Sequence, residues 1–463
     1  MVDAAGGEIE VPAGGILKRH IAACVVGNAL EFYDFTTYSF FAVQIGHALF
    51  PGKDPFANLM LSLAGFGVGF VSRPIGGVVI GAYGDRAGRK PAMLLSFFLM
   101  GIAILGLALV PSYATIGMAA PVLAVLCRLL QGFALGGDVG PTTAFLIEAA
   151  PVARRGFYTS LQYASQGVAI AAGGLVGFIL ASRLDAASLD SWGWRLAFLL
   201  GAAVLPFGLY VRRTLPETFE VKANAARATW RDLEGHARVI VLGLLMLGSA
   251  TIAIYTLNNM TPYATAFLHM QVNIAFAATL VLGICNFLFS FPGGIVSDRI
   301  GRKPVMIWPR VALLLVSWPL FAMLASRRDT GWLLGATAII TALNAFSSAA
   351  SFVAIAESLP TPLRSGALAV IYAVSISVFG GTTQLIETWL IHVSNNVLAP
   401  AWYLMGATIV GIAAMWAMKE TAPVRSMGSP PSGAGLSEKI SKSDFRTSEK
   451  VFSRGDAETR RRR

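Results

Sequence analysis

Charge is what this chain lacks most. Lys, Arg, Asp and Glu together make up 13% of its 463 residues, where an ordinary soluble domain carries ~25%. So few charges cannot cover a soluble surface of this size, and a charged, hydrophobe-poor disordered chain is excluded as well. Cysteine is nearly absent. Cys24, Cys127 and Cys285 lie far apart, each inside an apolar segment, which excludes a disulfide framework and any cysteine-based metal spacing. They read as small apolar fillers. Histidine occurs five times. No His-Glu-x-x-His, Gly-x-Ser-x-Gly or nucleotide loop is present, so no metal, cofactor or enzymatic reaction is expected. Before Lys18 there is no Lys or Arg. A cleaved signal peptide would need a basic start and a short apolar core, so the first membrane helix is expected to act as the insertion signal.

Apolar residues are abundant, at 55% of the chain, with a mean hydropathy of +0.64. Runs such as Met93–Val110, Leu196–Val211 and Val239–Leu257 approach or reach the ~20 residues that span a bilayer core as a helix. Twelve such spans are expected, over 20–43, 57–82, 92–111, 117–147, 157–181, 194–213, 238–262, 273–297, 304–325, 331–357, 366–391 and 398–418. The longest polar interval between them is 214–237. The fold class is therefore an all-α membrane protein of twelve transmembrane helices in two pseudo-symmetric six-helix bundles. The expected organisation is a cytoplasmic N-terminus (1–19), an N-terminal bundle (20–213), a cytoplasmic central loop (214–237), a C-terminal bundle (238–418) and a basic, disordered cytoplasmic tail (419–463).

Basic residues set the orientation. With the N-terminus inside, the inner flanks and loops hold seventeen Lys and Arg without the tail, and the outer loops hold five, Lys53, Arg183, Arg195, Arg327 and Arg328. Both termini are thus expected in the cytoplasm. The net charge is +11, of which the tail carries +5. That tail reads as a polybasic segment near anionic lipid head groups, and no nucleic-acid partner is expected.

The halves repeat each other. Gly81-Ala-Tyr-Gly-Asp85-Arg86-Ala-Gly88-Arg89-Lys90 recurs as Gly294-Ile-Val-Ser-Asp298-Arg299-Ile-Gly301-Arg302-Lys303, 213 residues on. Glu148-Ala-Ala-Pro151 with Arg155 recurs as Glu357-Ser-Leu-Pro360 with Arg364, 209 residues on. Two matches at nearly one offset imply parallel six-helix repeats with a midplane site between them. A positive-inside anchor explains the Arg and Lys of the loops but not an Asp in fixed register. The residues read as a charge lock at a cytoplasmic gate: Gly81 and Gly88 for close approach and a turn, Asp85 and Asp298 for helix ends and Arg partners, with Arg86, Arg89, Arg299 and Arg302, and the pairs Glu148 with Arg155 and Glu357 with Arg364.

Ionisable groups inside a membrane are costly and mark function. Asn28, Glu31 and Asp34 are spaced by three, on one face of span one. Arg73 lies in span two in line with Gly65, Gly69 and Gly77. Arg128, Gln131 and Asp138 share a face of span four, beside a small-residue stripe of Gly132, Gly136 and Gly140. Gln162 and Gln166 lie one turn apart in span five. Glu387 and His392 fall ~31 Å along span eleven at 1.5 Å per residue and read as interfacial. Trp192 and Trp194 read as interface anchors. A guanidinium grips a carboxylate in a bidentate fork, and a nearby buried carboxylate can carry a proton. Arg73, Arg128, Asn28, Gln131, Gln162 and Gln166 are thus candidate substrate contacts, and Glu31, Asp34 and Asp138 candidate coupling carboxylates.

The two ten-residue loops resemble the signature loop of the major facilitator superfamily, and Arg128-Leu-Leu-Gln131-Gly132 resembles its fourth-helix motif. Within that superfamily, Gly27-Asn28-Ala-Leu-Glu31-Phe-Tyr-Asp34-Phe35, Arg73-Pro74-Ile-Gly76-Gly77, Gln131-Gly132-Phe-Ala-Leu-Gly136-Gly137-Asp138 and Trp192-Gly193-Trp194-Arg195 are similar to the metabolite:proton symporter family. Gly156-Phe-Tyr-Thr-Ser160, Ala164-Ser165-Gln166 and Phe379-Gly380-Gly381 resemble its citrate and 2-oxoglutarate branches. The family usually has Glu where this chain has Asp138, and the citrate branch has Thr-Pro where this chain has Thr383-Gln384. The resemblance implies a monomeric inner-membrane symporter that imports a small organic anion, a di- or tricarboxylate such as citrate, with H+. It also leaves open a zwitterion such as betaine or proline. An intramembrane enzyme or sensor is the remaining class, and it lacks a constellation to support it.

Overall fold

The structure is a computed structural model. It describes residues 14–50, 52, 54–87, 89–136, 146, 150–203 and 235–422. Gly88, Asp138, Gly140, Glu148 and the tail beyond Ala422 lie outside the described residues, as do the side chains of Asp85, Arg86, Arg89 and Lys90.

Helices dominate what is described. In the N-terminal half they are α1 (Gly14–Phe40), α2 (Ala42–Leu49), α3 (Pro55–Val71), α4 (Arg73–Ala87), α5 (Arg89–Leu109), α6 (Ala119–Leu135) and α7 (Arg155–Arg183), followed by helical turns over 194–203. In the C-terminal half they are α8 (Ala237–Asn258), α9 (Met260–Ala266), α10 (Val272–Ile300), α11 (Arg302–Arg327), α12 (Thr330–Glu357), α13 (Thr361–Ser375), α14 (Gly381–Ser394) and α15 (Ala399–Ala417). Among the described residues eight helices are long and apolar enough to cross a membrane, with shorter apolar helices at Leu94–Leu109 and Ala119–Leu135. Large apolar side chains such as Val78, Leu109, Trp308, Leu315 and Trp416 point outward. An outward apolar surface suits lipid, because no water is needed to satisfy a helix whose backbone bonds are internal.

Local sequence explains the ends and breaks. Asp54 accepts from the Phe56 N–H at 3.1 Å with Pro55 in the first turn, and Asp329 accepts from Gly331 at 2.9 Å. Each such cap contributes ~1 kcal/mol. Gly301, at φ 113°, supplies the left-handed turn between α10 and α11, a conformation that side chains with a Cβ resist. Several spans are interrupted in mid-course. Span one changes helix at Phe41, span two at Ser72, span seven at Asn259, and span eleven passes through a π-helical turn at Ile376–Gly380.

Glycine sets two close helix seams. A Cβ on Gly132 would stand 1.6 Å from the Gly69 carbonyl oxygen, and one on Gly136 1.9 Å from that of Arg73. The stripe read from span four therefore presses α6 onto α3 and α4, as small residues permit. The second seam joins the halves: Gly156 against Gly294, Gly283 against Ala171, and Gly174 against Leu280, all backbone to backbone. At Gly81 no atom of the described residues lies within 4 Å of an added Cβ.

Candidate functional site

Two arginines and an aromatic sleeve form the centre of the N-terminal half. Arg73 begins α4 and Arg128 lies mid-way along α6, and the tight α3–α6 seam brings them to the same wall. Arg128 is 1% exposed. Its guanidinium lies over Tyr38, Phe35 and Phe66 at 4.5, 4.8 and 5.1 Å. Arg73 lies over Phe35 and Phe70 at 4.3 and 4.4 Å. Phe35 is thus shared by both cations. Each such contact contributes ~0.5–2 kcal/mol, more when desolvated. Arg128 donates to Gln131 Oε1 and to the Phe66 carbonyl, while its Nε, Arg73 Nε and Gln131 Nε2 are buried without a hydrogen-bond partner.

Asp34 and Glu31 face this wall from α1. Asp34 is the acidic neighbour of Arg128; Arg73 has Tyr255 and Tyr372 as its stronger electrostatic neighbours, with Glu31 as the carboxylate after them. Both oxygens of Asp34 are buried and neither has a hydrogen-bond partner. A carboxylate so placed is paid for only if something arrives to use it, a proton or a ligand donor. Asn28, by contrast, is committed to helix packing: its Nδ2 donates to the Gln162 carbonyl at 3.2 Å and to Ser165 Oγ at 2.7 Å, tying α1 to α7. Gln162 itself is buried at that junction.

Between the halves lies a partly open cavity. Gln166 lines it, with Phe32 and Thr36 of α1, Tyr163 of α7, Tyr255 and Asn258 of α8, Asn286 of α10, Asn344 and Ser348 of α12, and Tyr372 of α13. Of the candidate substrate contacts, only Gln166 is in that wall; Arg73, Arg128 and Gln131 sit beside it in the N-terminal half. The neutral polar residues of the other wall have no signal in the sequence, being ordinary Asn, Ser and Tyr in apolar runs.

Two placements correct the sequence reading. Glu387 is not interfacial but fully buried; it accepts from Thr256 Oγ1 and from Asn259 Nδ2 at 3.0 Å, at the break between α8 and α9. Next to it on α14, Gln384 donates to Ser39 Oγ of the other half. Trp194 is not an exposed anchor. It is 0% exposed, donates to the Asp190 carbonyl at 3.1 Å and stacks under Arg195; Trp192 does stay exposed. His392 stacks on Phe56 with ring centres 3.9 Å apart. Arg310 of α11, unremarked in the sequence, is 0% exposed; as an ionisable group deep in an apolar run it could have been found by the rule applied to Arg73.

At the face carrying the repeated loops, the C-terminal copy is a lock between halves. Asp298 accepts from the backbone N–H of Gly156 and Phe157 at 2.9 and 3.0 Å, capping the positive end of α7. It also takes Arg302 at 2.6 Å. Arg302 reaches Glu357 at 3.2 Å, and Arg155 reaches Glu357 at 3.6 Å. Where the sequence pairs Glu357 with Arg364, the structure gives Glu357 to Arg302 and Arg155, and Arg364 donates to the carbonyls of Ala356 and Leu359 at the end of α12. Arg299 points outward. An unforeseen member is Glu420, whose oxygens accept from the N–H groups of Arg302 and Lys303 at 2.9 and 3.0 Å.

A helical bundle of two like halves, a cavity between them and buried charges beside it define a membrane carrier of small solutes. The family model described as Major Facilitator Superfamily matches residues 24–381, and the chain belongs to that superfamily. It is 35% identical over 407 residues to a citrate-proton symporter of Klebsiella pneumoniae, covering 87% of this chain and 92% of the relative. It is 31% identical over 451 residues to a proline/betaine transporter of Escherichia coli strain K12, covering 93% and 89%. The xylose transporter of E. coli in a partially occluded, inward open form shares the fold at a TM-score of 0.70 and 19% identity, over 87% of this chain and 99% of that one.

Proposed function

We propose that the chain is a proton-coupled symporter of a small organic acid of the di- or tricarboxylate class, working by alternating access between bundles 20–213 and 238–418 linked by 214–237. The reading places it in the inner membrane as a monomer, with both termini and the repeated loops cytoplasmic. The observation that carries it is Asp34, a buried carboxylate with neither oxygen hydrogen-bonded, facing Arg128. Protonating Asp34 removes a charge that would repel an anion, and leaves the guanidinium fork of Arg128 to grip it. Proton and substrate then favour each other's binding, as linkage requires. Arg73 is the second cation of that wall, and Glu31 is its carboxylate. Asp138 is proposed as a further coupling carboxylate nearer the cytoplasm. Similarity to citrate-proton symporters supports this reading.

The second reading is a zwitterionic osmolyte. Phe32, Tyr163, Tyr255 and Tyr372 in the cavity wall offer ring faces that suit a quaternary ammonium, and relatives named as betaine or proline transporters match at 31–32%. Uptake of labelled citrate, 2-oxoglutarate and betaine into proteoliposomes, with and without an inward proton gradient, separates the two. Gradient-dependent betaine uptake without citrate or 2-oxoglutarate uptake would overturn the organic-acid reading.

A further inference from the structure

The C-terminal half holds a buried cation that nothing in the mechanism so far uses. Arg310 on α11 is 0% exposed. Its Nε donates to Ser347 Oγ of α12 at 2.9 Å, and both terminal nitrogens, Nη1 and Nη2, are buried with no hydrogen-bond partner. No carboxylate among the described residues forms an ion pair with it; its electrostatic neighbour is Tyr163 of α7. A buried guanidinium with four idle N–H donors is an expensive object, and packing a Met or Leu there would be cheaper. Its survival asks for an anionic partner that comes and goes.

The surroundings say where that partner would stand. Tyr163, Asn344 and Ser348 all line the central cavity. Ser348 follows Ser347 in sequence, and Asn344 is one turn earlier on the same helix. Asn344 Oδ1 is also buried without a partner. Arg310 therefore lies one residue layer behind a polar patch of the cavity wall, on the half opposite Arg73 and Arg128. No Lys, Arg, Asp or Glu is among the described residues lining the cavity, so the cations flank it from the two bundles.

We propose that Arg310 is a second carboxylate contact of the transported anion, reached between Tyr163, Asn344 and Ser348. Its two idle nitrogens present the planar fork that matches a carboxylate. A substrate with two carboxylates then bridges the bundles, one end at the Arg73–Arg128 wall and the other at Arg310. Such a strap favours closure of the cavity over it, and a ligand with a single carboxylate cannot make it. This inference rests on the organic-acid reading above and deepens it by assigning a residue to the substrate's second carboxylate.

The test compares wild type with Arg310→Gln, Arg310→Lys and Ser347→Ala, using citrate, 2-oxoglutarate and betaine as probes. Arg310→Gln should raise the half-saturation constant for citrate and 2-oxoglutarate by about 30-fold or more, the usual scale for removing one side of a buried charged contact, with Arg310→Lys and Ser347→Ala intermediate. Without ligand, purified Arg310→Gln should melt no lower than wild type, because an unpaired buried charge has gone. Its citrate-induced rise in melting temperature should be lost. If ligand-free Arg310→Gln melts lower, or it and Arg310→Lys both fail to fold, Arg310 is a packing residue and the inference fails. It fails also if citrate half-saturation stays within about twofold of wild type. Wild-type uptake of betaine without citrate or 2-oxoglutarate would instead bring down the organic-acid reading, and this inference with it.

Discussion

Asp34 is the residue on which the proposed coupling turns. Its oxygens have no hydrogen-bond partner, so replacing it with Asn does not strand a donor and should leave folding intact. Asp34→Asn imitates the protonated acid permanently. Gradient-driven accumulation should fall to the level of simple equilibration, while exchange of internal for external substrate, which needs no net proton movement, persists. Both assays on one preparation check this; accumulation that survives in Asp34→Asn moves the proton to Glu31 or Asp138. Asp34, Arg73 and Arg128 were legible because a charge within an apolar run is a strong signal whatever its neighbours. Glu387 was misplaced because a ruler of 1.5 Å per residue assumes a straight helix and a flat membrane edge. Span eleven instead passes through a π-helical turn, and span seven breaks at Asn259 to bring two side-chain donors to the carboxylate. Asn286 and Asn344 were illegible for a different reason: neutral amides in a helix look alike whether they line a cavity or a packed seam.

Helix ends carry the proposed gate. Asp298 caps α7 across the boundary between halves, and Glu420 caps α11 from just beyond α15. Removing the charge in Asp298→Asn should loosen the first turn of α7 by ~1.5–3 kcal/mol, the scale of hydrogen bonds to charged groups. Amide hydrogen exchange at Gly156 and Phe157 should then quicken by about tenfold or more; unchanged exchange would mean that the cap does not hold the halves. Glu420 makes a different forecast. Burial alone would raise its pKa, but the backbone N–H groups around it win and hold the carboxyl below its usual range. Its stabilisation is therefore complete above ~4.3, the unfolded value, and is lost as pH falls through the depressed folded value. Glu420→Ala should lower the melting temperature at pH 7, by an amount corresponding to ~1 kcal/mol for a lost cap. The gap from wild type should close in acid below the folded value. The repeated loops announced Asp298 by their register, whereas Glu420 follows the last span with no repeat to mark it.

At the scale of the molecule, the halves meet along one long glycine seam between α7 and α10, and the proposed alternating access would open it one end at a time. The division into two like bundles was readable from the repeats at nearly one offset. The seam was not, because a glycine in an apolar run gives no hint of its partner. Gly156 and Gly174 sit eighteen residues apart on α7, ~27 Å along the helix. A Cβ on Gly156 would stand 2.4 Å from the Gly294 carbonyl oxygen, and one on Gly174 2.4 Å from the Leu280 backbone nitrogen. Backbone cannot move aside, so each substitution wedges its own end. Gly156→Val should hold the cavity open toward the repeated loops, and Gly174→Val toward the opposite face. A cysteine at Thr251, which lines the cavity, reports the difference once Cys24, Cys127 and Cys285 are replaced by Ala. A membrane-impermeant thiol reagent should label Thr251→Cys from the repeated-loop side in the first background and from the other side in the second. Gly335→Ala, where nothing stands within 4 Å of the added carbon, serves as the neutral control and should leave labelling and uptake unchanged. Labelling from one and the same side in both Val backgrounds would mean that the seam does not open end by end, and alternating access through it would have to be abandoned.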